Sequence, residues 1–301
     1  MKVLLLGKNG QVGWELQRSL SILGDVVALG RSDIDLTDHN GLRARIQQLQ
    51  PNVIVNAAAY TAVDKAETEP NEARQINVDA VGVLASQAAI TNAWLVHYST
   101  DYVFNGEKNT PYVEDDQAEP LNTYGQTKID GEGAIRTSGC KHLILRSSWV
   151  YSTRGGNFPL AILRQALERD HLDVVNDCFG APTSAQLIST ITTTMLYRIS
   201  VDLRLSALAS GTYHLAASGE TSWYDYAKVL VSIARNRGLP IKAIPNKIFP
   251  IRSSENHSRA LRPKNSRLDT TKLCTLFDLT VPNWKDQIEL FIDEIIKLKL
   301  I

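Results

Sequence analysis

Short, nearly continuous apolar runs alternate with longer amphipathic segments through the first half of the chain. The apolar runs lie at residues 2–7, 26–30, 53–57, 95–100 and 143–148. Such runs are typical of strands that are covered on both faces. The segments between them have helical periodicity, at residues 11–23, 41–50, 73–92 and 124–137. This alternation predicts a parallel sheet with right-handed crossovers.

The pattern becomes irregular after residue 150, where glycine and proline interrupt the chain at 154–159 and 179–182. Apolar runs at 172–175 and 213–216 predict two further strands, with a helix near 187–199 between them. We therefore predict an α/β fold, a doubly wound Rossmann-like parallel sheet. Residues 1–150 would form this domain, and residues 172–200 and 213–217 would complete its sheet. Residues 151–301 would mainly form a smaller C-terminal α/β substrate lobe.

Composition and charge restrict the partners of this chain of 301 residues. Its 32 basic and 32 acidic side chains cancel, which argues against nucleic acid or an anionic membrane as the main partner. No run approaches the ~20 apolar residues of a membrane-spanning helix. The three cysteines, Cys140, Cys178 and Cys274, are widely spaced, and neither they nor the histidines have metal-ligand spacing. We expect reduced thiols, no metal and a cytoplasmic location.

A glycine-rich turn, Gly7-Lys8-Asn9-Gly10-Gln11-Val12-Gly13, follows the first predicted strand and opens the first helix. Glycines at this spacing allow a sharp turn, close approach to a pyrophosphate and tight packing of helix on strand. The helix N-terminus also favours an anion. Similar spacings occur in ordinary tight turns, but the position at the first strand–helix junction favours dinucleotide binding.

The end of the second predicted strand bears on which dinucleotide is bound. An acidic residue there would bind the ribose hydroxyl of NAD, whereas an arginine would accept the additional phosphate of NADP. The chain has Gly30-Arg31-Ser32 at this point, and Arg31 offers a bidentate phosphate contact. A solvated loop arginine is the alternative. The pattern favours NADPH and leaves NADH open.

Tyr124 and Lys128 are four residues apart at the start of the helix after the fourth predicted strand, so they share one helix face. A free phenol has a pKa near ~10. We expect the Lys128 ammonium to stabilise the phenolate and so tune Tyr124 for proton transfer to a reduced carbonyl. The spacing is common by chance, and its significance comes from its position.

The carboxyl end of the fourth predicted strand reads His97-Tyr98-Ser99-Thr100-Asp101. Ligands of open α/β sheets bind beyond the carboxyl ends of the strands. A hydroxyl of Ser99 or Thr100 could therefore donate to a substrate carbonyl as negative charge develops there. The alternative is a hydroxyl that caps the following turn. The turn, the hydroxyl and the Tyr–Lys pair occur in the order that a reductase site requires.

Motifs spread along almost the whole chain resemble those of the extended short-chain dehydrogenases/reductases, and closely those of the dTDP-4-dehydrorhamnose reductase family. They lie at residues 7–16, 55–64, 98–104, 124–128, 146–151, 180–183 and 262–268. The resemblance implies NAD(P)H-dependent reduction of the C4 keto group of dTDP-4-dehydro-L-rhamnose to dTDP-L-rhamnose. This is the last step of dTDP-rhamnose biosynthesis, which serves lipopolysaccharide and O-antigen assembly.

The resemblance also implies residue roles. Tyr124 would donate the proton, Lys128 would hold the nicotinamide ribose, and Thr100 would polarise the sugar carbonyl, while Asp101 and Trp149 would contact the substrate. The remaining cofactor contacts would be Gly7, Gly10, Gln11, Val12, Gly13, Asp35, Leu36, Ala58, Ala59, Tyr60, Thr61 and Tyr98, together with Arg31.

Two matters stay open at this point. A reductase or epimerase of another nucleotide-linked 6-deoxyhexose would share these motifs, and a non-catalytic nucleotide-binding regulatory subunit could retain the fold. Some members of the family dimerise around a magnesium ion held by glutamates. Glu15 fits that pattern but Gln186 does not, and an amide is a weaker ligand for this ion. We expect a monomer or weak homodimer without a metal.

Overall fold

The structure, a computed structural model, describes residues 1–255 and 259–301. Twelve strands are assigned within these ranges. They are β1 (Lys2–Leu6), β2 (Asp25–Leu29), β3 (Val53–Asn56), β4 (Trp94–Thr100), β5 (Lys141–Ser147), β6 (Val150–Tyr151), β7 (Leu172–Val175), β8 (Phe179–Gly180), β9 (Thr183–Ser184), β10 (Gly211–His214), β11 (Thr221–Ser222) and β12 (Ile248–Ile251).

The α-helices within the described ranges follow the predicted alternation. They are α1 (Gln11–Ser19), α2 (His39–Leu49), α3 (Val63–Ala66), α4 (Pro70–Arg74), α5 (Ala80–Thr91), α6 (Thr123–Thr137), α7 (Phe158–Glu168), α8 (Ala185–Val201), α9 (Leu203–Leu208), α10 (Trp223–Asn236), α11 (Thr271–Leu276) and α12 (Trp284–Leu298).

Six strands form the central sheet in the order β10-β5-β4-β3-β1-β2. Every pairing in it is parallel. The chain moves from β1 outward to β2 and then crosses to β3 on the other side of β1, so the strand order reverses between β1 and β3. In such sheets the crevice beyond the carboxyl ends of the strands at this reversal is the usual ligand site. The predicted doubly wound fold is confirmed.

Alternate residues of the central strands enter two separate apolar cores, one on each face of the sheet. Val3 and Leu5 of β1 lie in the core shared with α1, α8 and the C-terminal helices. Leu4 and Leu6 lie in the opposite core, with residues of α2 and α5. All four of these side chains are at most 1% exposed. This burial on both faces explains why the strands are apolar at nearly every position.

One predicted part of the sheet is wrong. Residues 172–175 form β7, but this strand pairs in parallel with β12 in a separate two-stranded sheet. The other predicted extension of the sheet, at residues 213–217, overlaps β10, which does pair with β5. An apolar run predicts a buried strand but contains no information about its partner, and the partner β12 (Ile248–Ile251) lies far along the chain. The division of the chain at residue 150 stays a prediction.

The helix predicted over 73–92 is divided into three segments. Its middle, Gln75–Asp79, is a π-helical turn between α4 and α5. The turn directs Asn77 inward, where its Nδ2 donates to the Thr127 hydroxyl on α6 at 3.0 Å. Its Oδ1 accepts from the Tyr60 N–H at 2.9 Å. π-turns are frequent at functional sites, and this one fixes the loop after β3.

No helix within the described residues is long and apolar enough to cross a membrane. The three cysteines are free, Cys140 and Cys178 buried and Cys274 partly buried.

Helix α6 packs against the π-turn through Gly131, and this contact generates a stability prediction. A Cβ at Gly131 would lie 2.2 Å from the Asn77 carbonyl oxygen, whereas one at Gly133 would meet nothing within 4 Å. We expect Gly131→Ala to lower the free energy of unfolding by roughly 1–3 kcal/mol, the usual cost of overpacking. Gly133→Ala, its control on the same helix, should raise it by up to about 1 kcal/mol. Urea unfolding measures both, and equal effects would contradict the packing.

Candidate active site

The glycine turn after β1 is built for close backbone contact. Gly7 has a φ of +85°, and a Cβ there would lie 2.7 Å from the Ala57 carbonyl carbon. A Cβ at Gly13 would lie 2.0 Å from the Gly7 carbonyl oxygen. Gly7 is needed for the left-handed turn and Gly13 for the close contact of helix with strand, and only glycine suits either position.

The turn directs the N-terminus of α1 at the crevice between β1 and β3. Gly10 is the N-cap residue and provides no side-chain cap, so the N–H groups of the first turn, from Gln11 onward, suit an anion. The Gln11 Oε1 accepts from Asn157 Nδ2 at 2.9 Å and from the Ser152 hydroxyl at 3.3 Å. The amide of Gln11 thus joins the turn to the C-terminal half. These residues fit a dinucleotide pyrophosphate.

The loop after β3, which contains Ala58, Ala59, Tyr60 and Thr61, lies beside this turn. The Asn56 Oδ1 accepts from the Ala58 N–H at 3.2 Å, which fixes the start of the loop. The Tyr60 hydroxyl donates to Glu69, and this bond raises the pKa of Tyr60 to about 12. The predicted groove residues are therefore adjacent to the turn.

At the end of β2, the Asp33 carboxylate accepts from the Gly30 N–H and from the Lys8 ammonium, both at 2.7 Å. Arg31 is exposed beside it. Sequence reasoning missed Lys8, although it lies within the glycine motif; a Cβ at Gly30 would come within 3.4 Å of its Cε. Two cations, Lys8 and Arg31, thus border the position expected for the additional phosphate of NADP.

Asp35 and Leu36 follow in the same loop and differ in environment. Asp35 is exposed and its Oδ1 accepts from both the N–H and the hydroxyl of Thr37 at 2.9 Å. Leu36 packs against the apolar core on the α2 side of the sheet. Leu36 is therefore partly buried against this core, whereas Asp35 faces solvent.

Helix α6 brings Tyr124 to the carboxyl end of β4. Its N-cap residue, Asn122, accepts from the Gly125 N–H at 2.8 Å, and a Cβ at Gly125 would lie 2.2 Å from the Tyr102 carbonyl oxygen. The start of the helix is thereby held against the turn after β4. In this position the Thr100 hydroxyl lies close enough to the Tyr124 phenol to lower its pKa. The predicted Tyr124 and Thr100 are brought together.

Asp101 lies directly behind this pair. It is 3% exposed, and its Oδ1 accepts from the Thr100 hydroxyl at 3.1 Å. Its Oδ2 has no hydrogen-bond partner among the described residues. Burial raises the pKa of Asp101 to about 7. A buried carboxyl oxygen without a partner is costly, and a polar ligand at this point would relieve the cost.

The electrostatics of Tyr124 differ from the prediction. Burial of the phenol and the Asp101 carboxyl both raise the pKa of Tyr124 well above its usual value, and the Thr100 hydroxyl only partly offsets them. The Lys128 Nζ donates to the Tyr98 carbonyl at 2.6 Å and lies 3.0 Å from His97 Nε2. The prediction that Lys128 lowers the pKa of Tyr124 is therefore wrong for this structure. Burial also lowers the pKa of Lys128 itself, to about 8.

Two predicted residues serve packing as well as the site. The Tyr98 hydroxyl is bonded to Thr192 on α8 at 2.8 Å, so its backbone carbonyl, not its phenol, faces Lys128. Trp149 has a φ of +49°, an uncommon conformation that clusters at functional sites. Its ring lies 4.5 Å from that of Trp223 and directly against Gly180, where a Cβ would come within 2.7 Å.

A cavity of about 610 Å³ lies between α1, α12 and the loop after β6. Glu15 and Gln186 both line it, as does Arg154, whose guanidinium stacks 3.3 Å from the Trp14 ring centre. Burial raises the pKa of Glu15. No group of three or more metal-ligating side chains is found among residues 1–255 and 259–301.

Comparisons with known proteins agree with this geometry. The family described as RmlD substrate binding domain matches residues 1–297. A dTDP-4-dehydrorhamnose reductase of Escherichia coli (strain K12) is 44% identical, over 98% of each chain.

The chain belongs to the dTDP-4-dehydrorhamnose reductase family. Solved structures of family members superpose over nearly the whole molecule. The reductase of Clostridium acetobutylicum is 32% identical with a TM-score of 0.88, and covers 98% of this chain and 99% of its own. The reductase of Bacillus anthracis in complex with NADP is 31% identical with the same TM-score, and covers 97% of this chain and 99% of its own. The predicted family is confirmed, and its match includes the C-terminal part of the chain.

The raised pKa of Asp101 makes the stability of this family member depend on pH. In the unfolded chain the carboxyl ionises above its ordinary value of 3.8, but in the folded protein only above about 7. Stability present at low pH is therefore lost as pH rises through this window, at about 1.4 kcal/mol per unit. Asp101→Asn stays neutral throughout and retains the bond from Thr100.

We expect the unfolding free energy of Asp101→Asn, relative to the unmodified protein, to increase between these two pH values. Urea unfolding at a series of pH values measures the difference. An exposed control, Asp278→Asn, should show no such trend. A difference that is independent of pH would contradict the buried, neutral carboxyl.

Proposed function

We propose that this protein reduces the C4 keto group of dTDP-4-dehydro-L-rhamnose, with NADPH as the reductant, to give dTDP-L-rhamnose. The observation that carries the proposal is the Tyr124–Thr100 hydroxyl pair at the carboxyl end of β4, on a fold matched over 98% of its length by a reductase of this name. NADP is bound in the solved reductase of Bacillus anthracis. The glycine turn and the N-terminus of α1 would hold the same cofactor here.

The bound cofactor supplies a hydride to C4 of the sugar, and the protein must supply a proton to the oxygen. Because the pKa of Tyr124 is raised, the phenol remains protonated at neutral pH and is available as the donor. Thr100, beside it, would donate to the same oxygen as charge develops. Once the proton has left, a phenolate remains, which the protein must stabilise and reprotonate.

We further propose that the substrate diphosphate sugar contacts Asp101 and Trp149. The free Oδ2 of Asp101 is buried beside the reacting pair, which suits a sugar hydroxyl. The protein would act in the cytoplasm, which is consistent with its unpaired cysteines. It would be a monomer or weak homodimer.

The activity is tested by NADPH oxidation with dTDP-4-dehydro-L-rhamnose, followed by absorbance. We expect turnover that falls roughly 10²–10⁴-fold in Tyr124→Phe, the usual contribution of a positioned acid. The control is Tyr226→Phe, which removes a buried hydroxyl that has no partner among the described residues and should retain turnover. An epimerase would give no net oxidation, and a regulatory subunit no turnover.

Cofactor preference depends on the cations at the end of β2. We expect Arg31→Ala to weaken NADPH binding several-fold more than NADH binding, because only NADPH carries a phosphate at this position. Isothermal titration with each cofactor measures the two affinities. Arg43→Ala, on the exposed face of α2, is the control for net charge. Equal losses for both cofactors in Arg31→Ala would rule out phosphate recognition by this residue.

A further inference from the structure

A chain of contacts lies behind Lys128 that the mechanism has not yet used. The Ala58 N–H donates to Asn56 Oδ1 at 3.2 Å. The Asn56 Nδ2 lies 3.1 Å from His97 Nδ1, and His97 Nε2 lies 3.0 Å from Lys128 Nζ. Asn56, His97 and Lys128 are each 1% exposed. Their protons must therefore be arranged by the contacts that they make with one another.

These contacts determine which ring nitrogen of His97 carries the proton. The Ala58 N–H occupies the Asn56 carbonyl oxygen, so the NH₂ of that amide faces Nδ1. Nδ1 must then accept, and a neutral imidazole with an accepting Nδ1 carries its proton on Nε2. Burial, the largest cause, holds the pKa of His97 well below its usual range, so the ring stays neutral.

The tautomer of His97 in turn determines the state of Lys128. Nε2–H points at Nζ, and Nζ can accept this bond only as an amine, because an ammonium group has no lone pair. We propose that Asn56 and His97 are positioning residues that hold Lys128 as the neutral amine in the cofactor-free enzyme. Nζ still donates one N–H to the Tyr98 carbonyl at 2.6 Å, which leaves a second for a ligand hydroxyl.

The opposite arrangement, with a Lys128 ammonium and a proton on Nδ1, requires the Asn56 amide to turn over. Its NH₂ would then face the Ala58 N–H, which would lose its acceptor inside the protein, an unfavourable exchange. The proton count is explicit. Nζ gains the proton of Nε2 while Nδ1 gains one from solvent, so one proton enters and the tautomer changes at the same time.

The charged groups around Lys128 oppose the neutral amine only weakly. Burial lowers the pKa of Lys128, and the Glu132 carboxylate, one turn further along α6, only partly offsets it, which leaves the pKa at about 8. That carboxylate is already neutralised by Arg146 of β5 at 2.7 Å and by Arg136. Asp101, after β4, is itself held partly protonated by burial. With the pKa of Lys128 at about 8 the ammonium would still predominate at neutral pH, so the hydrogen bonds of the Asn56 amide must supply the remaining bias toward the amine.

The inference deepens the proposed function, and its consequence for the rate rests on that function. A neutral Lys128 cannot stabilise the phenolate that Tyr124 becomes after proton transfer. Charging of Lys128 is coupled to the His97 tautomer and, through Asn56, to the Ala58 N–H in the cofactor groove. The contacts of the groove thus regulate when Lys128 becomes a cation.

The tautomer can be read directly by ¹⁵N NMR of cofactor-free protein labelled at histidine, with His97 assigned by loss of its signals in His97→Gln. At neutral pH we expect a protonated Nε2 and an unprotonated Nδ1 in the unmodified chain. Asn56→Asp offers Nδ1–H a carboxylate acceptor, and should switch the ring to the Nδ1–H tautomer. An Nδ1–H tautomer in the unmodified chain, or no switch in Asn56→Asp, would overturn the proposal.

The matched control is Asn77→Asp, at an amide that is equally buried but bonded to Thr127. It should keep the Nε2–H tautomer, and a switch there too would count against the specific role of Asn56. In active enzyme, Asn56→Asp should also move the Lys128 limb of the kcat/KM profile to higher pH. If Asn56→Asp does not fold, the tautomer of the unmodified chain decides alone. That measurement uses no substrate. Absence of NADPH oxidation would therefore refute the proposed function without affecting the proposed tautomer of His97.

Discussion

The buried amino group of Lys128 joins helix α6 to strand β4, and the geometry of the site depends on this contact. Its Nζ donates to the Tyr98 carbonyl at 2.6 Å, and Lys128 as a whole is 1% exposed. Because a buried amine requires polar partners, this contact restricts the rotation of the helix about its axis. One turn earlier on the same face, Tyr124 is thereby placed against Thr100 at the end of β4.

Close packing reinforces this attachment at the start and in the middle of the helix. Gly125 allows contact with the turn after β4, and Gly131 allows contact with the π-turn before α5. Between them, the buried Asn77 connects α6 to the loop after β3. The proposed cofactor groove and the Tyr124 and Thr100 hydroxyls are therefore positioned by one set of contacts around α6, and catalysis at the proposed site would require such preorganisation.

Much of the fold could be predicted because burial on both faces leaves a strong signal in the sequence. Strands β1 to β5 appear as continuous apolar runs, and the glycine motif marks the crevice. Partners of isolated strands leave no such signal, so the pairing of β7 with β12 was missed. The π-turn was missed because its cause, the inward bonds of Asn77, is tertiary.

The site was predictable in its members but not in its electrostatics. The spacing of Tyr124 and Lys128 places them on one face, yet the direction of Nζ is set by β4. Burial and the Asp101 carboxyl raise the pKa of Tyr124, and the spacing of residues along the sequence reveals neither effect. Lys8 and His97 lie within the sequence motifs, but the sequence assigned neither a role. Only the structure brings Lys8 to Asp33 and His97 to Lys128.

The central claim is that the sugar ketone reacts at the Tyr124–Thr100 pair, and a crystal structure with NADPH and dTDP-L-rhamnose tests it most directly. We expect the C4 oxygen of the sugar within about 2.6–3.2 Å of both hydroxyls, the range for proton transfer. The nicotinamide should lie on the side of the glycine turn. A sugar bound instead in the cavity lined by Glu15 and Arg154, with Tyr124 not in contact with it, would contradict the account.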